Sequence, residues 1–297
     1  MSQNLFSEQQ IEDYHTEGYL VVPRLFGEEE LALVDRTVRQ LTAEALASGN
    51  YADKMELEPE SIGADEPVVR RLYEPFRQHE NFRQLATDPR IVNRLTGLIG
   101  PDIHLQHSKL NMKPAKVGSV VEWHQDLAYF PHSNDDLVSL LIYLDDATEE
   151  NGCLQVLPRH HHHFFDHRLS DGSFAGMITE PIDDGRFGRP VPLAAPAGSV
   201  IFMHCITPHT SLPNRSEKSR RTLIFEYRAA DAVPLHFGAY TTKIETTSHP
   251  IAGKPARFAR FGGPHPPIPV FQEDEAGHFK SLYTLQEDAK QSTDGSS

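Results

Sequence analysis

The chain has 297 residues, of which 38% are apolar and 24% are charged, and this composition excludes a largely disordered protein. Lys and Arg total 28 against 42 Asp and Glu, so the formal net charge of −14 argues against nucleic acids and anionic membranes as partners. Two cysteines, Cys153 and Cys205, are too few for a disulfide scaffold and favour a cytoplasmic location, where thiols stay reduced.

The first hundred residues are predicted to be mainly helical. Ser7 and Gln10 have the spacing of a capping box, which begins a helix that ends at Gly18. A short apolar strand is expected to follow, and the acidic, irregular residues 50–67 indicate a surface loop. Apolar residues that recur every three or four positions, together with a capping Asp at 88, predict further helices around 31–45, 82–86 and 88–100.

From residue 101 the pattern changes from helix to strand. Short stretches rich in β-branched and aromatic residues, bounded by Gly, Pro, Asn or Asp, are predicted to be the strands Ile103–Lys113, Val138–Leu144, Cys153–Leu157, Ser199–Met203 and Thr222–Tyr227. Early helices and late strands favour the α+β class, in which helices pack on one side of a mostly antiparallel barrel or sandwich.

No internal repeat is present, so a single domain over about 1–290 is expected. Helical support extends to about residue 100, a strand-rich core covers about 101–232, and a segment poor in periodicity over about 233–290 is expected to cover the core. Residues 291–297, QSTDGSS, have the composition of a disordered tail.

Common nucleotide and zinc motifs are missing from the sequence. No G-x-G-x-x-G follows a predicted strand, and neither a P-loop nor H-E-x-x-H occurs. The run from His160 to His163 cannot bind one ion with all four side chains, because consecutive residues point in different directions. These patterns therefore provide no site.

His124-Gln125-Asp126 is a more informative arrangement. On a strand, residues i and i+2 point to the same face, so an imidazole and a carboxylate would lie side by side while Gln125 points elsewhere. These are two of the three ligands of the facial triad that non-haem Fe(II) oxygenases use. The alternative is a surface histidine and aspartate near a turn.

His209, which follows an apolar strand and Pro208, is the favoured third ligand, with His204 as its competitor. Eleven residues later comes Arg220, and a hairpin of that length would bring its guanidinium back beside the histidine. A guanidinium suits the distal carboxylate of a dicarboxylate co-substrate. Arg221 competes for this role, but adjacent strand residues face opposite ways, so only one of the two arginines can serve.

Three protein ligands leave three positions on the metal, two for a keto acid and one for O2. Oxidative decarboxylation of the keto acid then yields succinate, CO2 and an oxidant that removes hydrogen from a bound C–H group. Two alternatives use the same residues: a zinc-dependent hydrolase on a cupin-like barrel, and a non-catalytic small-molecule-binding protein. Arg220 argues against the hydrolase, because hydrolysis needs no clamp for a distal carboxylate.

Three stretches of the chain resemble the phytanoyl-CoA dioxygenase family of Fe(II)/2-oxoglutarate oxygenases, namely HQDLAYFP at 124–131, ENGCLQVLP at 150–158 and PHTS at 208–211. The resemblance extends from about residue 10 to about residue 232. It implies a double-stranded β-helix, a cupin-like jelly-roll braced by the N-terminal helices. It also implies Fe(II), 2-oxoglutarate and O2, with ascorbate as the reductant in vitro.

Carried over motif by motif, the resemblance implies that His124, Asp126 and His209 bind iron. It implies that Arg220 binds the distal carboxylate of 2-oxoglutarate. Ser211, two positions after the ligand histidine, matches a hydroxyl that supports the same carboxylate.

Further candidates lie on the predicted strand over 107–113. Asn111 occupies the place from which the ectoine-hydroxylase branch of the family offers an amide to the co-substrate, and Lys109 shares its strand face. Lys109 either reaches the pocket or lies on the surface with its charged end in water. Phe130 is a candidate aromatic wall, with ordinary core as the alternative, and Arg71 is a candidate basic residue near the site.

The sequence therefore predicts an Fe(II)- and 2-oxoglutarate-dependent dioxygenase that hydroxylates a C–H bond of a small-molecule metabolite. Asp126 provides a carboxylate where a halogenase would have Gly or Ala, which disfavours halogenation. The substrate is not specified by any motif.

Overall fold

The structure is a computed structural model. It describes residues 5–49, 51–62, 67–116, 120–235, 249–264 and 282–294. Helix α1 (Glu8–Glu17) begins with the predicted capping box, in which the Ser7 hydroxyl accepts from the amide of Gln10 and the Gln10 side chain accepts from the amide of Ser7. It ends at Gly18, whose φ of 85° lies in the left-handed region that favours glycine.

Six further helices are described. They are α2 (Glu28–Ser48), α3 (Pro75–Gln78), α4 (Glu80–Ala86), α5 (Pro89–Ile99), α6 (Asp184–Phe187) and α7 (Leu282–Asp294). Of these, α3 and α5 contact the larger of two sheets, and α7 contacts the strand Val121–His124 of the smaller sheet.

The larger of two antiparallel sheets has the strand order β1-β9-β6-β11-β4-β3-β2, and β12 also pairs with β4. Its strands are β1 (Tyr19–Val22), β2 (Met55–Leu57), β3 (Val69–Tyr73), β4 (Ile103–Lys113), β6 (Leu137–Tyr143), β9 (Val200–His204), β11 (Arg220–Ala229) and β12 (His249–Ala252). The smaller sheet has the order β5-β10-β7-β8 and consists of β5 (Val121–His124), β7 (Leu154–Val156), β8 (Val191–Pro192) and β10 (His209–Ser211).

The two sheets face each other and enclose a cavity lined by residues from both. The main core packs the helices against the larger sheet, with fully buried side chains such as Phe82 and Leu95 from the helices and Phe225 from β11. Burial of such a continuous apolar layer fixes the larger sheet as a rigid platform for the cavity. This is the predicted combination of a jelly-roll core with supporting helices.

Two expectations about the chain are corrected. The predicted loop over 50–67 contains β2, a strand of three residues that is too short to give a periodic signal. The predicted disorder from residue 291 is wrong up to Asp294, because α7 continues to that residue and its buried positions Tyr283, Leu285 and Ala289 anchor it. Residues 295–297 lie outside the described residues.

The expected covering segment over 233–290 falls largely outside the described residues, at 236–248 and 265–281, and its role stays a prediction. In the part of the chain that the structure describes, no helix combines the length and the apolar character needed to cross a bilayer.

Candidate metal centre

Three buried side chains converge at one end of the cavity. One ligand atom from each of His124, Asp126 and His209 lies within 4.8 Å of the other two. The Nε2 atoms of both histidines lie 3.9 Å from Oδ1 of Asp126. Of the His, Cys, Asp and Glu side chains in the described residues, these three lie close enough together to share a metal ion.

The smaller sheet brings the two histidines together. His124 is the last residue of β5 and His209 is the first of β10, and the two are direct partners in the antiparallel register, with ring centroids 4.0 Å apart. Asp126 does not lie on the strand, as the i, i+2 argument assumed, but begins a short 3-10 helix at 126–128. Because the turn bends the chain back towards the strand end, the carboxylate still faces the imidazoles.

Backbone carbonyls orient both imidazoles. Nδ1 of His124 lies 2.8 Å from the carbonyl oxygen of Glu122, and Nδ1 of His209 lies 2.9 Å from that of Thr207. A carbonyl only accepts, so Nδ1 carries the hydrogen in each ring and the lone pair of Nε2 points to the shared centre. Burial lowers the pKa of both imidazoles, which keeps them neutral, as metal binding requires.

The Asp126 carboxylate stays ionised. Burial raises its pKa, but His209, Lys109, His124 and the hydrogen bond from Ser139 together outweigh burial and hold the pKa below its usual value. Two neutral imidazoles and one carboxylate on one side of a centre fit Fe(II), the metal of facial triads with open positions.

A first chamber extends from the triad between the sheets. Arg220 lies in its wall and is 5% exposed. Its Nη1 donates to the hydroxyl of Thr222 at 2.6 Å and its Nη2 donates to the carbonyl oxygen of Gly152, while Nε has no hydrogen-bond partner among the described residues. No described carboxylate forms an ion pair with this guanidinium, so a buried cation is left facing the chamber. An anionic ligand would compensate it.

Ser211, Asn111 and Lys109 also line the first chamber. Nε of Arg71 donates to Oδ1 of Asn111 at 2.9 Å, so the amide nitrogen of Asn111 remains as the donor towards the chamber. Asn111 is the direct register partner of both Arg71 on β3 and Thr222 on β11. The strand pairing therefore aligns these polar groups in one row across the sheet.

A second chamber adjoins the first and is also lined by His124 and Asp126. It shares Arg71 and Lys109 with the first chamber, and Leu282 of α7 lines both. Its remaining wall consists of Tyr73, Glu74, His107, Ser108, Tyr129 and Phe130.

The structure separates the competing candidates. His204 lies away from the triad, with Nε2 4.0 Å from Asp135 Oδ2. Arg221 points out of the cavity and pairs with Asp145 at 2.7 Å and with Asp35. In the histidine run, His160 and His161 contact the carbonyl oxygens of two different segments, so the run does not converge on one point.

Two residues of the site had no place in the sequence prediction. Ser139 and Glu226 line the first chamber, and each is 1% exposed. Burial, with a further contribution from Asp126, raises the pKa of Glu226 to about 7, although Lys109 and Ser139 oppose this shift. The available signal was a charged residue between Phe225 and Tyr227 in an apolar strand.

Comparison with known proteins agrees with this geometry. Residues 14–222 match the family model described as Phytanoyl-CoA dioxygenase (PhyH). A probable alpha-ketoglutarate-dependent hypophosphite dioxygenase from Stutzerimonas stutzeri is 35% identical over 240 residues, which cover 78% of this chain and 81% of that protein. The ectoine dioxygenase of Stutzerimonas stutzeri strain A1501 is 27% identical over 239 residues, covering 74% and 76%.

A solved structure shares the fold. The crystal structure of EctD from S. alaskensis with bound Fe superposes with a TM-score of 0.65 at 22% identity, covering 87% of this chain and 88% of that one. This similarity confirms the predicted jelly-roll architecture.

Proposed function

The chain belongs to the phytanoyl-CoA dioxygenase family, and on that basis we propose how its residues divide the work of an Fe(II)- and 2-oxoglutarate-dependent dioxygenase. Such an enzyme hydroxylates a small molecule and releases succinate and CO2. His124, Asp126 and His209 hold Fe(II), which together with O2 and 2-oxoglutarate supplies the oxidising chemistry when bound. The support for this assignment is the convergence of the three buried ligand atoms.

The first chamber binds 2-oxoglutarate. Arg220 pairs with the distal carboxylate, because its guanidinium is buried and lacks an ionic partner among the described residues. Ser211 adds a hydroxyl to the same end, and Asn111 donates its amide N–H, with the carbonyl side of that amide held by Arg71. Lys109 lies at the boundary of the two chambers, where its ammonium reaches anionic groups in either.

The second chamber binds the substrate, and we infer a compact oxyanion as its class. Arg71 and Lys109 bring two positive charges to its wall. Lys109 also lies 3.4 Å from Glu226 and 4.0 Å from Asp126. The oxygens of Glu74, in contrast, accept from the amide and hydroxyl of Ser108, and burial raises the pKa of Glu74 to about 7. Burial also holds the pKa of His107 well below its usual value, so this ring is neutral.

The observation that supports this substrate class is that Arg71 and Lys109 both line the chamber next to the triad. Tyr129 and Phe130 line the same chamber, so it offers apolar contact as well as charge. One relative is named as a probable hypophosphite dioxygenase, which supports a phosphorus oxyanion, whereas another is named as an ectoine dioxygenase. Phosphorus oxyanions are therefore the first class to test.

The test supplies Fe(II), 2-oxoglutarate, O2 and ascorbate, and compares hypophosphite, methylphosphonate and ectoine at equal concentration. We expect hypophosphite or methylphosphonate to raise succinate formation above the uncoupled background, with the oxidised phosphorus product visible by 31P NMR. If neither oxyanion raises succinate formation, or if only ectoine does, the proposed substrate class is wrong.

Lys109→Met gives a second readout of the same proposal. Removal of a charge-assisted contact is expected to raise KM for the active oxyanion by about ten-fold or more, while Lys109→Arg retains most of the affinity. Lys116→Met is the matched control, because Lys116 is exposed and pairs with Glu217 at the surface.

We also propose a cytoplasmic location. Cys153 and Cys205 are both buried free thiols, an arrangement that a reducing compartment preserves.

A further inference from the structure

Asp126 of the triad and three neighbouring side chains form a closed ring of polar contacts. Oγ of Ser139 lies 2.5 Å from Oδ2 of Asp126 and 2.6 Å from Oε2 of Glu226. Oε1 of Glu226 lies 3.4 Å from Nζ of Lys109, and this ammonium lies 4.0 Å from Oδ1 of Asp126. The ring ties the Asp126 carboxylate to β6, β11 and β4, which are neighbours in the larger sheet.

Strand pairing fixes the positions of Ser139 and Glu226 in this ring. Ser139 and Glu226 are direct register partners on β6 and β11, and both are almost completely buried. A carboxyl group buried this deeply destabilises the fold unless polar partners compensate it, and an apolar residue of similar size would serve packing better. Glu226 is therefore better explained by its contacts with Ser139 and Lys109 than by stability of the core.

We propose that Ser139 and Glu226 are positioning residues that restrict Asp126 to binding iron through Oδ1 alone, an inference that rests on the iron site proposed above. Oδ1 is the oxygen that lies 3.9 Å from Nε2 of both His124 and His209. Oδ2 accepts from the hydroxyl of Ser139, which ties that oxygen to β6 and holds the carboxylate with Oδ1 towards both imidazoles.

The number of bonds from Asp126 decides how many positions remain for reactants. Two histidines and one carboxylate oxygen leave three of six positions, which the keto acid and O2 need together. A second bond from the carboxylate would take one of these three. Ser139 keeps that position free, and Glu226 keeps Ser139 in place.

The experiment compares Ser139→Ala with Ser139→Thr, which retains the hydroxyl. Without O2, we measure retained Fe(II), the dissociation constant of 2-oxoglutarate, and the visible charge-transfer band of the Fe(II)–2-oxoglutarate complex. Ser139→Ala is expected to weaken 2-oxoglutarate binding by about ten-fold and to shift the band, whereas Ser139→Thr restores both.

A matched control loses a buried hydroxyl elsewhere. Ser199 is fully buried, and its hydroxyl accepts from the amide of Arg24. Neither residue belongs to the ring of polar contacts around Asp126. Ser199→Ala is expected to leave the band and the affinity for 2-oxoglutarate unchanged. If Ser139 had a purely structural role, Ser139→Ala and Ser199→Ala would show the same charge-transfer band and the same affinity for 2-oxoglutarate.

Glu226 supplies an independent pair of variants, which also serves if Ser139→Ala does not fold. Glu226→Gln retains a polar group beside Ser139 and is expected to keep the wild-type band, while Glu226→Ala is expected to shift it as Ser139→Ala does. Thermal unfolding of each variant verifies that the fold persists.

The experiments distinguish a wrong positioning role from a wrong iron site. If Ser139→Ala and Glu226→Ala both show the wild-type band and wild-type affinity, the positioning role is wrong, and the iron site stands as long as His209→Ala loses the metal. If His209→Ala retains as much iron as the wild type, the iron site is wrong and the positioning role falls with it.

Discussion

The carbonyl oxygen of Gly152 accepts a hydrogen bond from Nη2 of Arg220, although 68 residues separate the two in the chain. Gly152 has a φ of 73°, and a Cβ atom at this position would lie 2.1 Å from the carbonyl oxygen of Leu212. The ENG motif at 150–152 thus needs glycine both for its backbone conformation and for the close approach of a neighbouring chain segment. Through this contact the motif helps to hold Arg220, which lines the first chamber.

Gly152→Ala tests this relationship. The added methyl group must displace the backbone at Leu212, so we expect a loss of about 2–5 kcal/mol in the free energy of unfolding and a higher KM for 2-oxoglutarate. Gly172→Ala is the matched control, because Gly172 has a φ of 86° but nothing within 4 Å of the added atom. Equal losses in urea unfolding of the two variants would show that backbone conformation alone explains the motif.

Arg220→Met is expected to retain iron and to raise KM for 2-oxoglutarate by about 30-fold or more, because it removes the buried cation that pairs with the distal carboxylate. Iron content after desalting and steady-state succinate formation separate the two effects. Arg221→Met removes the neighbouring arginine, whose partners Asp35 and Asp145 lie outside the cavity, and should leave KM unchanged. A wild-type KM in Arg220→Met would contradict the placement of the co-substrate.

His209→Ala is expected to lose iron, since it removes one of three ligands and leaves no described histidine in its place. The measurement is iron per chain after anaerobic reconstitution and gel filtration. His204→Gln is the control, because His204 precedes His209 by only five residues yet lies beside Asp135 and outside the triad. Loss of iron from His204→Gln and not from His209→Ala would reverse the assignment.

Sequence patterns identified the site where the relevant spacing is local. His124 and Asp126 are two residues apart, and His209 and Arg220 are eleven apart. The predicted hairpin between His209 and Arg220 is wrong, because β10 and β11 lie in different sheets, yet the short connection between the sheets still brings both residues to the wall of the first chamber. The predicted reason was partly wrong, because Asp126 lies on a 3-10 turn and not on the strand. A period-2 pattern indicates which residues are near one another, but not where a strand ends.

Contacts between distant strands could not be predicted in this way. Glu226 was visible as a charge within an apolar strand, yet its partner Ser139 is 87 residues away and is specified only by the register of β6 and β11. Leu282 lines the cavity from α7, and no local pattern in the sequence specifies that this helix packs beside the strands of the cavity. β2 was missed because three residues contain no period.

His167 gives the fold a predicted pH dependence. Nδ1 of His167 lies 2.9 Å from the carbonyl oxygen of Phe165, and Nε2 accepts from the amide of Gln125 at 3.2 Å, so the folded chain holds the neutral ring. Burial lowers the pKa of His167 from 6.5 to about 4. Between these two values the unfolded chain binds more protons at this residue, so stability rises with pH in this window and is lost as the pH falls from 6.5 towards 4.

His167→Gln keeps an acceptor for the amide of Gln125 and removes the titrating group. Its free energy of unfolding in urea is therefore expected to depend less steeply on pH between about 4.5 and 6.5, by at most about 1.4 kcal/mol per pH unit, the slope for one proton. A slope in His167→Gln equal to that of the wild type would mean that other buried groups carry the acid sensitivity of this fold.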